Sequence, residues 1–194
     1  MRQLSVLFCL LLLTGCVVSS PQKAQFNAEY PNRQDIRSHT LYRFMTKPLK
    51  PGGGKYYGAN DLAETLYVRA DNAAMVELRF NYPGRSLQVK SLDAQNRTLR
   101  EETYALLDAS AAKPSGVESR YFFLTKEGVL LTKYKNCTPD MSVGCQWQDR
   151  TLFITRNGDM AVQLAKGGAG MAFLVIPFYG SQKYLEIFPK APGA

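Results

Sequence analysis

Most of the chain after about residue 62 consists of short runs in which apolar and polar residues alternate. Residues 76–81, for example, read Val-Glu-Leu-Arg-Phe-Asn. Successive side chains of a strand point to opposite faces of a sheet, so this pattern predicts a half-buried strand. Turn-forming sequences such as Asn81-Tyr82-Pro83-Gly84 and Asn157-Gly158 separate the runs. The pattern therefore predicts an all-β fold.

About ten such runs, spaced by about 8–12 residues, predict strands joined by tight turns. Tight turns make consecutive strands antiparallel, so we expect an antiparallel meander that closes into a barrel or folds into a sandwich. Residues 105–113 are the one segment that favours a helix. The predicted turns include residues 126–128, 157–158, 167–170 and 179–181, and the predicted strands are residues 66–70, 76–81, 86–90, 97–106, 121–125, 129–135, 146–155, 160–164, 171–178 and 183–188.

The predicted strand at residues 171–178 differs from the others because it is apolar on both faces, with the sequence MAFLVIPF. Leaving one of these faces in water would forfeit about 1.5–3 kcal/mol for each large apolar side chain. We therefore expect both faces to be covered, one by the core and the other by the N-terminal arm, a partner or a lipid-like ligand. The candidate interaction surface consists of Met171, Phe173, Leu174, Val175 and Ile176.

The first 16 residues differ from the rest of the chain. Arg2 makes the start basic, residues 4–13 are apolar except for Ser5, and the stretch ends in Leu13-Thr14-Gly15-Cys16. These residues resemble the leader and the lipobox of a bacterial lipoprotein precursor. At about 1.5 Å per residue, the apolar stretch would cross only half of a hydrocarbon core of about 30 Å, which is typical of a signal peptide. The resemblance implies that residues 1–15 are removed and that Cys16 is acylated, palmitate included.

The same resemblance implies a location in the cell. Three acyl chains, at about 0.8 kcal/mol for each buried methylene, would hold the protein on a membrane permanently. In this family an Asp after the lipidated Cys favours the inner membrane. Val17 stands at that position, so we expect an outer-membrane protein whose folded part faces the periplasm.

The net charge of the chain limits the classes of binding partner that we expect. The chain carries a net charge of +8 and a pI of about 9.4. A basic protein commonly binds nucleic acid, but a periplasmic location removes that partner. We expect attachment to the membrane through the lipid, and binding to an envelope protein or to an anionic envelope component.

Two cysteines remain for the folded part, because Cys9 leaves with the signal peptide and Cys16 carries lipid. Cys137 and Cys145 flank a turn-rich segment, 138–144. An even pair in an oxidising compartment predicts a disulfide between them.

The N-terminal part of the mature chain differs from the rest. It contains four prolines, a Gly52-Gly53-Gly54 tract and few periodic apolar positions. We expect residues 16–60 to form a lipidated, basic tether or arm, and residues 61–194 to form the β domain. Within the arm, residues 34–60 are either irregular or contain a first strand near residues 39–45.

Catalysis has little support. Ser110 and Lys113 match the S-x-x-K pattern of serine β-lactamases and penicillin-binding proteins, but the companion S-D-N and K-T-G motifs are absent. We therefore expect no enzyme and no catalytic residues. The single histidine, His39, leads us to expect no metal site and no cofactor.

A second family resemblance is partial. Ser115-Gly116, Tyr121 and Thr125-Lys126 resemble parts of the signature of periplasmic lysozyme-inhibitor lipoproteins, which are small β-barrels. Tyr121 lies too far from Gly116 for that signature, and Glu127 interrupts its second motif.

The sequence thus predicts a non-catalytic periplasmic lipoprotein with a binding or assembly role in the cell envelope. The alternatives are a carrier of an apolar ligand inside a β-barrel and a lysozyme-inhibitor-like binding protein. A serine hydrolase has the least support.

Overall fold

A computed structural model describes residues 16–51, 60–112, 120–138, 143–172 and 176–192. Ten strands in these segments form one sheet, and two short helices accompany them. The helices are α1 (Lys23–Glu29) and α2 (Leu62–Thr65), and the strands are β1 (Cys16–Ser19), β2 (Leu41–Met45), β3 (Met75–Asn81), β4 (Ser86–Leu92), β5 (Thr98–Asp108), β6 (Tyr121–Leu124), β7 (Leu130–Thr138), β8 (Val143–Ile154), β9 (Met160–Ala172) and β10 (Ile176–Phe188).

The strand order is β1-β10-β9-β8-β7-β6-β5-β4-β3-β2. Two antiparallel meanders, β2 to β5 and β6 to β10, make up most of it. The prediction of an all-β fold with about ten strands is confirmed. The sheet is nevertheless mixed, because β5 pairs with β6, and β1 with β10, in parallel. It is also not closed. Parallel neighbours need a connection longer than a tight turn, which is what residues 109–120 provide.

The sheet curls so that β2 meets the chain just beyond β10. The Met45 N–H donates to the Pro189 carbonyl at 2.8 Å, and the Ala191 N–H donates to the Arg43 carbonyl at 2.9 Å. The main hydrophobic core fills the face enclosed by this curl. We call this face of the sheet the groove face. The fully buried members of this core include Phe44, Leu78, Leu152, Ile154 and Phe188.

The opposite face of β8 to β10, the outer face, holds a smaller core under α1. Phe153 is fully buried there, and the rings of Phe26 and Tyr30 pack edge-on against it at centroid distances of 6.0 and 5.2 Å. Nearby, the Leu185 N–H donates to Oε1 of Gln22 at 3.3 Å. Residues 22–30 of the segment that we expected to be a tether or arm therefore lie on the sheet, since the rings of Phe26 and Tyr30 bury apolar area there.

Five local predictions are wrong. Residues 105–108 belong to strand β5 rather than to a helix, and residues 66–70 follow α2 without forming a strand. The glycine-rich residues 167–170 lie inside β9, and residues 179–181 lie inside β10, rather than in turns. Residues 171–178 are not one central strand but the end of β9 and the start of β10, which pair with each other at Ala172 and Ile176.

Candidate functional site

Strands β7 to β10 continue past the core and form an extension that we call the distal sheet. It comprises residues 132–138, 143–150, 165–172 and 176–184, and β1 pairs along its β10 edge. Because side chains alternate along each strand, Gln148 and Gln146 share the groove face with Leu152, whereas Trp147 shares the outer face with Phe153. Each face of the distal sheet carries a different chemistry.

The groove face of the distal sheet holds an open groove of about 530 Å³. Its polar side chains include four carboxamides and one ammonium group, and its aromatic side chains are exposed, Tyr134 by 55% and Phe178 by 43%. The residues whose side chains face this groove are Tyr134, Asn136, Gln146, Gln148, Lys166, Phe178 and Gln182, and glycines 144, 168 and 180 also line it.

Gly168 lines the groove but has no side chain that could project into it. A Cβ atom added there would lie 3.6 Å from the Cys145 carbonyl oxygen and 3.8 Å from Cε2 of Phe178, which are ordinary van der Waals distances. A side chain at this position would therefore fit the backbone and extend into the groove. Glycine at position 168 keeps the groove open without being required by the backbone.

The outer face of the distal sheet carries aromatic and basic residues. The rings of Trp147 and Tyr179 lie 5.8 Å apart. Lys133, Lys135 and Lys183 are exposed on the same face. Burial raises the pKa of the Asp149 carboxyl above its ordinary value, and the positive charge of Lys133 partly opposes that shift.

Cys137 and Cys145 are directly opposed on β7 and β8, with their Sγ atoms 2.05 Å apart and their Cα atoms 4.0 Å apart. The pair is thus placed to form the disulfide that the sequence predicts. It joins the two strands near the end of the distal sheet, so it would fix their register beside the groove.

We expect the exported protein to carry this disulfide rather than two thiols. Denatured periplasmic protein treated with a maleimide reagent should show no modification at Cys137 or Cys145 before reduction, and two modified cysteines after it. Reduction should lower the free energy of unfolding by about 2–3 kcal/mol. A variant with Ala at both positions is the control, and two free thiols in the unreduced protein would contradict the prediction.

The structure brings the predicted lipidation site and the cysteine pair to one level of the sheet. Cys16 of β1 is in register with Tyr179 of β10, Tyr179 with Ala169 of β9, and Ala169 with Cys145 of β8. Cys145 in turn pairs with Cys137. Nothing in the sequence pattern places residue 16 next to residue 179, since that contact joins the two ends of the chain.

The predicted interaction surface is only partly described. Met171 is 41% exposed, so the described part of the chain leaves this side chain largely uncovered, and its cover by a partner or a lipid-like ligand stays a prediction. The backbone of Ile176 starts β10. Phe173, Leu174 and Val175 lie outside the described residues.

The other sequence motifs are not assembled into a site within the described segments. Ser110 lies exposed in the turn after β5, and Tyr121 begins β6. Lys113, Ser115 and Gly116 lie outside the described residues. The described segments contain no group of three or more His, Cys, Asp or Glu side chains arranged to hold a metal.

No helix among the described residues has the length and apolar character needed to cross a membrane. Fold and site together define a class, an all-β protein built on one curled, mixed sheet with an open groove on its distal part. Comparison with protein families, curated proteins and solved structures finds no match for the chain.

Proposed function

We propose that the chain is a non-catalytic lipoprotein of the bacterial outer membrane that binds an envelope component in the groove of its distal sheet. The lipobox ending at Cys16 supports the anchor, and the basic net charge of +8 suits an envelope in which many partners are anionic. The observation that carries the binding role is the groove, because it is open, floored by glycine and lined by side chains that form hydrogen bonds.

The chemistry of the groove indicates an elongated polar ligand. A carboxamide carries two N–H donors and an acceptor oxygen, and Asn136, Gln146, Gln148 and Gln182 each bring one to the groove. The Gln182 oxygen already accepts from the Tyr184 hydroxyl at 3.1 Å. Lys166 adds a cation, and Tyr134 and Phe178 add apolar ring faces. An extended chain that carries both hydrogen-bond donors and acceptors would find complementary groups along the whole groove.

The carrier alternative has weaker support. Met171 and Phe178 come from the segment that would have lined an apolar cavity, and they are 41% and 43% exposed. The groove face beyond the distal sheet is filled by core side chains such as Phe44 and Leu152, both fully buried. An open groove lined by carboxamides and a lysine beside exposed aromatic rings fits binding of an extended chain better than storage of an apolar molecule.

Photo-crosslinking in intact cells tests the proposal. A photoreactive amino acid replaces Gln146, which is exposed within the groove, and in a second protein it replaces Leu49, which is 61% exposed away from it. We expect position 146 to capture a defined envelope component that position 49 does not capture. Adding Gly168→Leu to the first protein should abolish that capture, since the leucine would extend into the groove.

The control for this experiment is thermal unfolding of the Gly168→Leu protein, which should stay close to that of the wild type. Capture of the same component from both positions, or capture that is unaffected by Gly168→Leu, would contradict binding in the groove.

A further inference from the structure

The distal sheet exposes apolar side chains at its far end. Met171 is 41% exposed, Phe178 43% and Tyr179 42%, and Pro177, which pairs with Met171, is also exposed. We call these four residues the tip. Tyr134 also belongs to the distal sheet, so this sheet holds half of the eight large hydrophobic side chains that are exposed in the described segments.

The predicted lipid anchor lies at the level of the tip. The backbone of Cys16 is in register with Tyr179, and Met171 lies two residues further along β9 than Ala169, the partner of Tyr179. At about 3.3 Å per residue, Met171 is about 7 Å beyond the level of Cys16. Acyl chains on Cys16 would thus extend from the protein next to the tip. Met171 lies farther from the core than the point where these chains are attached.

Behind the tip, the outer face becomes aromatic and then basic. Trp147 and Lys135 are paired across β8 and β7, about 7 Å from the level of Cys16 in the direction of the core. Lys133 lies two residues further along β7, at about 13 Å, and Lys183 lies at the same level on β10.

This order of side chains matches the layers of a membrane surface. Apolar side chains suit the acyl region, Trp and Tyr suit the headgroup level, and lysines reach anionic headgroups from the water side. In this arrangement the cation of each lysine stays hydrated while its methylene stem lies along the surface.

We propose that the tip inserts into the anionic leaflet that holds the acyl chains of Cys16, so that the domain is attached at two points and held in one orientation. The proposal rests on the anchor of the proposed function for the location of that leaflet. The inference goes beyond the proposed function because it assigns a lipid contact to the protein's own side chains, above all to Met171.

Quenching of a single tryptophan by brominated lipids tests the proposal. The full chain is expressed with Trp147→Phe and either Met171→Trp or, as the matched control, Leu49→Trp. Leu49 is exposed, and its N–H donates to the Ile187 carbonyl near the opposite end of β10. Each protein is mixed with vesicles of phosphatidylethanolamine and phosphatidylglycerol whose acyl chains carry bromine.

We expect tryptophan 171 to lose about half of its emission or more in brominated vesicles relative to unbrominated ones, because a shallow insertion of about 5–10 Å brings it to the bromines. The tryptophan at position 49 should keep its emission. Mass spectrometry of the N-terminal peptide reports separately whether Cys16 is acylated, and far-ultraviolet circular dichroism confirms that both proteins are folded.

The outcomes separate this inference from the anchor. Acylated, vesicle-bound protein without quenching at position 171 would overturn the inference and leave the anchor, and the tip would then be free for a protein partner. Protein without acylation that is still quenched at 171 would support the inference and remove the anchor. Equal quenching at 171 and 49 would overturn the inference, because the contact would not be specific to the tip.

Discussion

Replacing Cys16 with Ala should abolish incorporation of a palmitate analogue into the protein and its retention on the membrane through lipid, and should leave uncleaved or soluble protein. The Cys16 thiol is the predicted acylation site, and the lipobox Leu13-Thr14-Gly15-Cys16 makes cleavage depend on the same residue. Each acyl methylene contributes about 0.8 kcal/mol to membrane binding, so the loss of three chains removes the main attachment. Metabolic labelling followed by fractionation of the membranes measures both effects.

Cys9→Ala is the matched control for this experiment. Cys9 lies in the same leader, seven positions before the lipobox cysteine, and should be removed with the signal peptide. Its replacement should leave labelling and fractionation as in the wild type. Equal labelling of the Cys16→Ala and wild-type proteins would contradict the lipoprotein prediction and, with it, the outer-membrane location.

The periodic strands were predictable because one face of each packs on the core. Residues 76–81 alternate in sequence, and in β3 the apolar residues of that run, Val76, Leu78 and Phe80, are buried. Asn157-Gly158 likewise predicts the turn between β8 and β9, where Gly158 adopts a φ of +89°. Local patterns succeed where local geometry and burial agree.

The glycine run of β9 could not be assigned correctly from local sequence patterns. Glycine is disfavoured inside strands and common in turns, so residues 167–170 predict a turn. In the structure the absence of a side chain serves close approach, since the Trp147 ring lies over Gly167 and the Gly180 carbonyl faces it from β10. Only the neighbouring strands explain this requirement.

The N-terminal pairing is equally invisible from sequence. Residues 16–19 are too short for a periodic pattern, and their partner residues 179–182 lie at the other end of the chain. Residues 171–178 are misleading for a different reason. Their continuous apolar character suggests a strand buried on both faces, but their two ends belong to the antiparallel strands β9 and β10, and Met171 and Phe178 are exposed.

For the candidate site, the sequence predicts individual features such as the cysteine pair, but not how side chains from different strands come together in the groove. The Cys137–Cys145 pair follows from spacing and compartment. The groove does not, because its glutamines and lysine come from four strands, and each looks by itself like an ordinary solvated position. Side chains that are distant in sequence form a site only once the register of β7 to β10 is known.

The neighbouring glycines of β9 should respond to alanine in opposite ways. At Gly167, which faces outward, an added Cβ would lie 2.5 Å from the Gly180 carbonyl oxygen and would overlap the Trp147 ring. Neither the backbone of β10 nor a packed indole can yield cheaply, so Gly167→Ala should lower the free energy of unfolding by about 1–3 kcal/mol. It should also displace Trp147 and shift the emission of this sole tryptophan.

At Gly168, which faces the groove, the same change meets no atom closer than 3.6 Å. Alanine loses less backbone entropy on folding than glycine does inside a strand, so Gly168→Ala should raise the free energy of unfolding by about 0.5–1 kcal/mol. Urea unfolding followed by circular dichroism and by Trp147 emission measures both variants. Equal stabilities, or a larger loss at Gly168 than at Gly167, would show that the two faces of β9 are assigned wrongly, and the groove with them. Opposite signs would support the register of β8, β9 and β10 on which both the groove and the tip depend.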